Sequence, residues 1–374
     1  MDRYTEVHIN SSRNYGIDAL RSVSMLMVVM LHVLGQGGIL YSTKSVNHLI
    51  AYFLEISSFC AVNCYALISG YVGIYSRYKI SNLAFLWCRV AFYTVSINLL
   101  FKCIAPDSID NQTLISAFFP VFSNQYWYFT AYTFLFLFIP ILNKGICRLS
   151  EKNIKVITYL IIAISVFYPF LNDSWGKVFN LNEGYSTLWL IILYVIGGYI
   201  RKYGFLKKIK SHRTIIFLLL YLAFVSITLL SLKFIPIVSE QIFGYIKYDN
   251  LFMQYSSFTI LAAALCLFLA FEQVRFSSFW VKIITFFSPL TFSVYIIHEN
   301  LQIVKRFIIN KFIWVSGLPP YQMLPLVIGI VIGIFLICSI IDLIRHNLFK
   351  ALKLKKRLEI LELKILKGSA NNEI

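Results

Sequence analysis

Two ionisable residues, Arg21 and His32, lie inside an otherwise apolar stretch that runs from Asn14 to Val33. On an α-helix, eleven residues advance about 16 Å and turn through three revolutions plus roughly 20°, so both side chains project from one face. Ionisable groups in a membrane span usually face a bundle interior or an aqueous cavity, because facing lipid is costly. The pair therefore predicts a cation near the start of the helix and an imidazole deeper along the same face. The alternative interpretation is a snorkelling arginine and a helix-capping histidine.

Other ionisable residues in apolar segments extend this pattern. Arg77, Arg89 and Arg201 fall at one end of their segments. Glu55 and His298 fall towards the other end. We expect the arginines to form a cationic cluster that suits a phosphate-bearing cofactor, and the outer group to perform acid–base chemistry on a hydroxyl group. The structural alternatives are arginines that anchor helix ends, a Glu55 held by neighbouring helices, and a His298 that ends its helix.

Some kinds of site are disfavoured by the sequence. It contains no cluster with metal-ligand spacing, no phosphate-binding loop and no serine elbow. We therefore expect no metal, and we disfavour a classical hydrolase or a nucleotide-driven pump. The seven scattered cysteines argue against a disulfide framework.

The composition identifies the class of protein. Of the 374 residues, 59% are hydrophobic and only 14% are charged, which is too little polar surface for a soluble domain of this length. The formal net charge of +17 would suggest nucleic acid in a soluble protein. Here the basic residues lie between apolar runs, where the positive-inside rule expects them, so nucleic acid is not an expected partner. The chain is predicted to be a polytopic, all-α membrane bundle.

Apolar runs of membrane-spanning length predict about ten transmembrane helices. Their approximate limits are 17–35, 48–73, 83–104, 126–146, 154–171, 186–201, 213–235, 251–271, 282–302 and 323–344. Basic residues concentrate in alternate loops, whereas residues 105–125 contain no Lys or Arg and residues 172–185 contain one Lys. This bias predicts that both termini are cytoplasmic. The basic residues at 305–311 do not fit this assignment, because they fall in a loop assigned to the outside.

The chain divides into two parts by composition. Residues 1–344 are predicted to form one transmembrane domain, and residues 345–374 a basic, leucine-rich tail. We expect the tail to be a cytoplasmic amphipathic helix that is attracted to anionic lipid headgroups, with a partner-binding helix as the alternative. Aromatic residues near span ends, Trp127 among them, are by default interfacial anchors.

Several segments, in order, resemble the acyltransferase 3 family of integral membrane acyltransferases, particularly its branch that O-acetylates bacterial surface sugars. The first helix contains the family's pattern of an arginine, ten residues and a histidine, at Arg21 and His32. The second helix closes with ALISGYVG (66–73), which is similar to the family's apolar run that ends in Ser-Gly and an aromatic residue. Three later segments resemble further signatures: WYFTAYTFLFLFIPILN (127–143), LYVIGGYIRKYG (193–204) and SPLTFSVYIIHEN (288–300).

The resemblance implies transfer of an acyl group, usually acetyl from acetyl-coenzyme A, to a hydroxyl of a cell-surface polysaccharide or lipid-linked sugar. It also implies a multi-pass protein of the bacterial inner membrane. Carried over by position, Arg21 and His32 are the expected functional pair. Arg77 and Arg89 look like the family's basic residues around the second and third helices.

These inferences combine into one expected site. Arg21, with Arg77, Arg89 and Arg201, would hold the phosphates of acetyl-coenzyme A as co-substrate. His32 would take the proton from the acceptor hydroxyl.

Three further residues complete the expected site. Glu55 would orient His32, and His298 and Trp127 would contact the glycan. A lipid-linked oligosaccharide flippase or polymerase, a small-solute transporter, and a sensor without turnover are the competing hypotheses.

Overall fold

The protein is described here from a computed structural model that covers residues 13–106, 109–167, 181–204, 213–246 and 250–371. All regular secondary structure in these residues is helical, as the composition predicts. Most of the basic loop predicted after the sixth span, and most of residues 172–185, lie outside the described residues.

The helices of the described chain are numbered in order. They are α1 (Tyr15–Leu34), α2 (Ile39–Ser42), α3 (Ser45–Phe59), α4 (Ala61–Gly73), α5 (Ile80–Ile104), α6 (Asn111–Ala117), α7 (Trp127–Arg148), α8 (Glu151–Phe167), α9 (Thr187–Tyr203), α10 (Arg213–Phe243), α11 (Phe258–Gln273), α12 (Ser278–Phe287), α13 (Thr291–His298), α14 (Leu301–Ile303), α15 (Pro320–Ala351) and α16 (Leu354–Asn371).

Each of the ten predicted spans coincides with a helix or a pair of helices. Within the described residues, six are long and apolar enough to cross a membrane, namely α1, α3 with α4, α5, α7, α10 and α15. The pair α12 and α13, bent by 42°, makes a seventh if it is one span. The described parts of α8, α9 and α11 have 17, 17 and 16 residues. The chain is a multi-pass membrane protein.

Helix α1 is the central element of the bundle. It begins at Asn14, whose side chain accepts hydrogen bonds from the N–H groups of Gly16 and Ile17. It packs against α3, α4, α11, α12, α13 and α15. Neighbours on several sides keep most of this helix away from lipid.

Two glycines allow α4 and α9 to approach at backbone distance. A Cβ atom at Gly70 would lie 2.0 Å from the carbonyl oxygen of Tyr194, and one at Gly197 would lie 2.1 Å from that of Leu67. Small residues permit such contacts in membrane bundles. The segments ALISGYVG and LYVIGGYIRKYG, noted separately in the sequence, therefore form one interface.

The last apolar helix, α15, ends beyond residue 345, where the predicted tail begins. Helix α15 continues past residue 344 to Ala351. Arg345, the first basic residue of the predicted tail, is 1% exposed and makes two hydrogen bonds of 2.8 Å to Asp342. Tyr93 of α5 donates to the same carboxylate. Arg345 is therefore part of the bundle, because a buried carboxylate requires a cation beside it.

The tail helix α16 docks against the start of α5. Glu362 accepts hydrogen bonds from the Ser81 hydroxyl and from the N–H groups of Ile80, at 2.7 Å, and Ser81. These bonds hold the pKa of Glu362 below its ordinary value. Lys79 pairs with Glu359 at 3.0 Å. The tail thus caps α5, which has no cap from its own N-cap side chain; its attraction to lipid headgroups remains a prediction.

Candidate active site

His32 belongs to a hydrogen-bonded group of polar side chains near the end of α1. Its Nδ1 atom lies 2.8 Å from Nε2 of His298 and 3.1 Å from Oε1 of Glu299. Gln36 donates to the same carboxylate oxygen at 3.1 Å. His298 is 1% exposed, so it lies behind His32.

The bonding pattern fixes which nitrogen of each ring carries a proton. Nδ1 of His298 lies 2.6 Å from the carbonyl oxygen of Val294 and must donate to it. In the neutral imidazole, Nε2 of His298 is then an acceptor, and Nδ1 of His32 is the donor to it or to Glu299. Nε2 of His32 is left unprotonated. This atom can act as a general base, and the Glu299 carboxylate would stabilise the resulting imidazolium.

His32 lines a narrow pocket of about 50 Å³. The other lining residues are mostly apolar or aromatic: Met25, Val28, Leu31, Val62, Tyr65, Trp127, Tyr128, Tyr255, Phe292 and Tyr295. A pocket of this lining holds little water, which strengthens electrostatic interactions inside it. It suits a proton transfer that has to be protected from solvent.

A second cavity, the cationic recess, lies at the other end of α1. It has a volume of about 410 Å³, and Arg13, Asp18, Arg21 and Arg201 contribute its charges. Among the described residues, three arginines against one aspartate leave an excess of two positive charges in this recess. Asp18 is paired with Arg13 at 2.5 Å and with Arg21 at 3.2 Å. Arginines in such a recess suit phosphate groups.

Arg21 stands where this recess meets a neighbouring one. The adjoining recess, of about 260 Å³, is lined by Arg77 and also by Arg21. Within the bundle, Tyr65 donates a 2.8 Å hydrogen bond to the carbonyl oxygen of Arg21. Tyr65 also lines the pocket of His32. One side chain therefore links the two ends of the site.

Helices α1 and α13 meet at both ends of the site. Arg21 donates to the Ser288 hydroxyl at 3.3 Å, at the break between α12 and α13. His32 contacts His298 at the far end of α13. The broken helix therefore runs beside α1 and supplies a partner for each of its two functional side chains.

The structure brings together most of the residues expected from the sequence. Arg21, Arg77 and Arg201 line the two adjoining recesses. Trp127 shares the pocket of His32. The roles of these residues in binding and catalysis stay predictions.

Arg89 is an exception, because it lines neither recess. Its guanidinium lies 5.7 Å from the ring centroid of Phe85 and 5.9 Å from that of Phe292. Its Nε atom is buried without a hydrogen-bond partner. The helical position of Arg89 turns it towards α13 and away from the cluster predicted for it.

The predicted roles of Glu55 and His298 also change. No hydrogen bond or ion pair within the described chain joins Glu55 to His32, whose partners are His298 and Glu299. The expectation that Glu55 orients His32 is therefore corrected. His298 is buried behind His32, so we interpret it as an orienting residue and not as a glycan contact.

Two residues of the site were given no role from the sequence. Glu299 follows His298 directly, and an acidic residue next to an apolar histidine was the available signal. Ser288 carried no signal by residue type, because its contact with Arg21 depends on the break before α13.

His32, His298 and Glu299 also present ligand atoms within 4.8 Å of one another, close enough for a metal ion. The 2.8 Å separation of the two ring nitrogens is a hydrogen-bond distance. Two nitrogens that bind one zinc ion at about 2.0–2.1 Å in tetrahedral geometry would lie farther apart. We therefore interpret the group as hydrogen-bonded.

Comparisons with known proteins bear on the whole of this site. A family model described as an acyltransferase domain matches residues 14–343. The match covers α1 to α13 and most of α15, and so includes every side chain of the two cavities except Arg13. The searches of the curated proteins and of the solved structures found no match.

Proposed function

Because the chain belongs to the acyltransferase 3 family, we propose that it transfers an acetyl or other short acyl group from acyl-coenzyme A. The acceptor is a hydroxyl group of a cell-surface polysaccharide or lipid-linked sugar. The observation that carries this proposal is His32, which has an unpaired Nε2 atom and lines a narrow apolar pocket, on the same helix as Arg21 in the cationic recess.

The cationic recess would bind the donor. Arg21 and Arg201, with Arg77 in the adjoining recess, present guanidinium groups to the phosphates of coenzyme A. The separation of Arg21 and His32 along the helix is about 16 Å, which is roughly the length of the pantetheine arm. The thioester would then lie beside the imidazole.

The proton transfers follow from the assigned tautomer. Nε2 of His32 takes the proton of the acceptor hydroxyl while its oxygen attacks the thioester carbonyl carbon. Glu299 and His298 hold Nδ1 and stabilise the imidazolium. When the carbon–sulfur bond breaks, the thiolate of coenzyme A takes the proton back from His32. The products are the sugar ester and free coenzyme A.

The same proposal sets the orientation in the membrane. We place the start of α1 and both termini in the cytoplasm of a bacterial inner membrane, with ten crossings in all. Arg21, Arg77 and Arg201 lie on one side of the bundle, which supports this orientation under the positive-inside rule.

The experiment that tests the function measures free thiol. Purified protein is given acetyl-coenzyme A with and without a glycan acceptor, and thiol release is expected to rise when the acceptor is present. Acetylated glycan should appear in equal amount. Movement of lipid-linked sugar across a vesicle without thiol release would instead support the flippase hypothesis and contradict ours.

A further inference from the structure

Glu55 is a buried acid whose bonding is incomplete. It is 7% exposed, and its Oε2 atom has no hydrogen-bond partner. A carboxylate in this position is costly unless something donates to it. The described residues provide no donor, so a bound molecule is the natural candidate.

A cluster of aromatic rings lies next to this acid. We call Phe59, Trp127, Tyr185 and Tyr255 the aromatic cluster. The ring centroids of Trp127 and Tyr185 are 4.6 Å apart, and those of Tyr185 and Tyr255 are 4.9 Å apart. Phe59 lies four residues after Glu55 on α3, one helical turn away on the same face, and this places the cluster beside the acid.

The aromatic cluster continues into the pocket of His32. Trp127 and Tyr255 line that pocket as well as the cluster. A molecule held against these rings would therefore lie next to the imidazole. This adjacency is what an acceptor subsite requires, because the acceptor hydroxyl has to reach Nε2 of His32.

One face of α3 connects the cluster to the outer end of the bundle. His48, Tyr52, Glu55 and Phe59 are spaced four, three and four residues apart, so they share a helical face. Phe59 stacks on Tyr255 with ring centroids 4.7 Å apart.

A groove of about 610 Å³ lies beside the upper part of this face. Helix α3 lines it with His48 and Tyr52, and helix α10 lines it with leucines and Lys233. The groove is at the end of the bundle opposite the cationic recess, because α3 begins at that end, shortly after α1 ends. Glu55 lies one helical turn after Tyr52, farther along α3 into the bundle. The groove offers an approach that the donor does not occupy.

We propose that Glu55 and the aromatic cluster form the acceptor subsite, which binds a pyranose ring. This inference rests on the proposed function. The C–H face of a pyranose packs against aromatic rings, and its hydroxyl groups donate to a carboxylate. Glu55 is a binding residue in this assignment, and it leaves the proton transfer to His32.

The charges of the groove favour a sugar over a cationic ligand. An aromatic cluster with a carboxylate can also bind a quaternary ammonium group. The described residues that line the groove include Lys233 and His48 but no aspartate or glutamate. A cationic ligand entering through the groove would be repelled by Lys233 and would find no described acidic side chain to attract it. A neutral sugar would not be repelled.

The test measures sugar binding apart from catalysis. His32→Ala protein in lipid nanodiscs is titrated with methyl β-glucopyranoside, methyl β-galactopyranoside and methyl N-acetyl-β-glucosaminide; nanodiscs avoid competition from maltoside detergents. We expect at least one of them to bind, and Glu55→Gln to weaken that binding about 10- to 100-fold. Tyr185→Ala, at a partly exposed position, should weaken it about tenfold. Glu240→Gln, on the exposed surface of α10, is the matched control.

The possible results separate this inference from the proposed function. Absence of pyranoside binding, or binding that Glu55→Gln and Tyr185→Ala leave unchanged, overturns the subsite. Glu55-dependent binding of tetramethylammonium without sugar binding also overturns it. Sugar binding by a protein that releases no thiol from acetyl-coenzyme A would support the acceptor subsite and contradict acyl transfer. Thiol release by a protein that binds no sugar would support acyl transfer and contradict the acceptor subsite.

Discussion

The cavities at the two ends of α1 differ in size, charge and lining, although α1 and α4 contribute side chains to both. Around Arg21 the cavity has about 410 Å³ and an excess of positive charge. Around His32 it has about 50 Å³ and an aromatic lining. A wide charged recess can hold a hydrated anionic cofactor, whereas a narrow apolar pocket can exclude water from a reaction. Under the proposed function, donor binding and acyl transfer are therefore separated along one helix.

Removal of the base at the narrow end should have the largest effect. We expect His32→Ala to reduce acyl transfer by at least about 10²- to 10⁴-fold, because general base catalysis typically contributes this much. The donor should still bind, since the cationic recess is unchanged. Thiol release and coenzyme A binding measure the two effects separately. His346→Ala, at an exposed position on α15, is the control, and full activity of His32→Ala would refute the assignment of the base.

A substitution of Glu299, also at the His32 end, should distinguish the contribution of Glu299 from that of His298. Glu299→Gln keeps the shape and a hydrogen-bonding group but removes the charge that stabilises the imidazolium. We expect kcat to fall roughly 10- to 100-fold, with the KM for the donor unchanged. The measurement is a full kinetic analysis beside that of Glu240→Gln. An unaltered kcat would mean that His298 alone holds His32.

Neutralisation of the cation at the wide end should have the smallest effect on the chemical step. For Arg21→Gln we expect a KM for acetyl-coenzyme A that is about tenfold higher and depends less on ionic strength, because one phosphate contact is lost. Arg275→Gln removes an exposed arginine that lines neither recess, and it should behave like the wild-type protein. A fall in kcat at unchanged KM would contradict the assignment of Arg21 to donor binding alone.

The fold was predictable in outline because membrane helices leave a strong local signal. Each of the ten predicted apolar runs coincides with a helix or a pair of helices in the described chain. The breaks at Cys60 and between α12 and α13 were not predicted, since neither interrupts the apolar pattern. The burial of Arg345, just past the predicted tail boundary, was not predicted either, because Arg345 looks like a surface residue until its partner Asp342 and the neighbouring Tyr93 are seen.

Only the part of the candidate site that lies on a single helix could be predicted from the sequence. Arg21 and His32 share a face by the geometry of the α-helix alone, and that expectation agrees with their two cavities. The deviation of Arg89 depends on how α5 is rotated against its neighbours. The isolation of Glu55 from His32 depends on how α3 packs. Neither rotation nor packing is encoded in the spacing of a single segment.

By itself the sequence determined the class of the molecule, its helical segments and the pairing of a cation with an imidazole along α1, because each is a property of local composition and periodicity. Only the tertiary structure decided that His298 and Glu299 hold His32 and that Ser288 meets Arg21. These partners lie more than 260 residues apart along the chain. Contacts of that range arise from helix packing, and the broken helix beside α1 is what creates them.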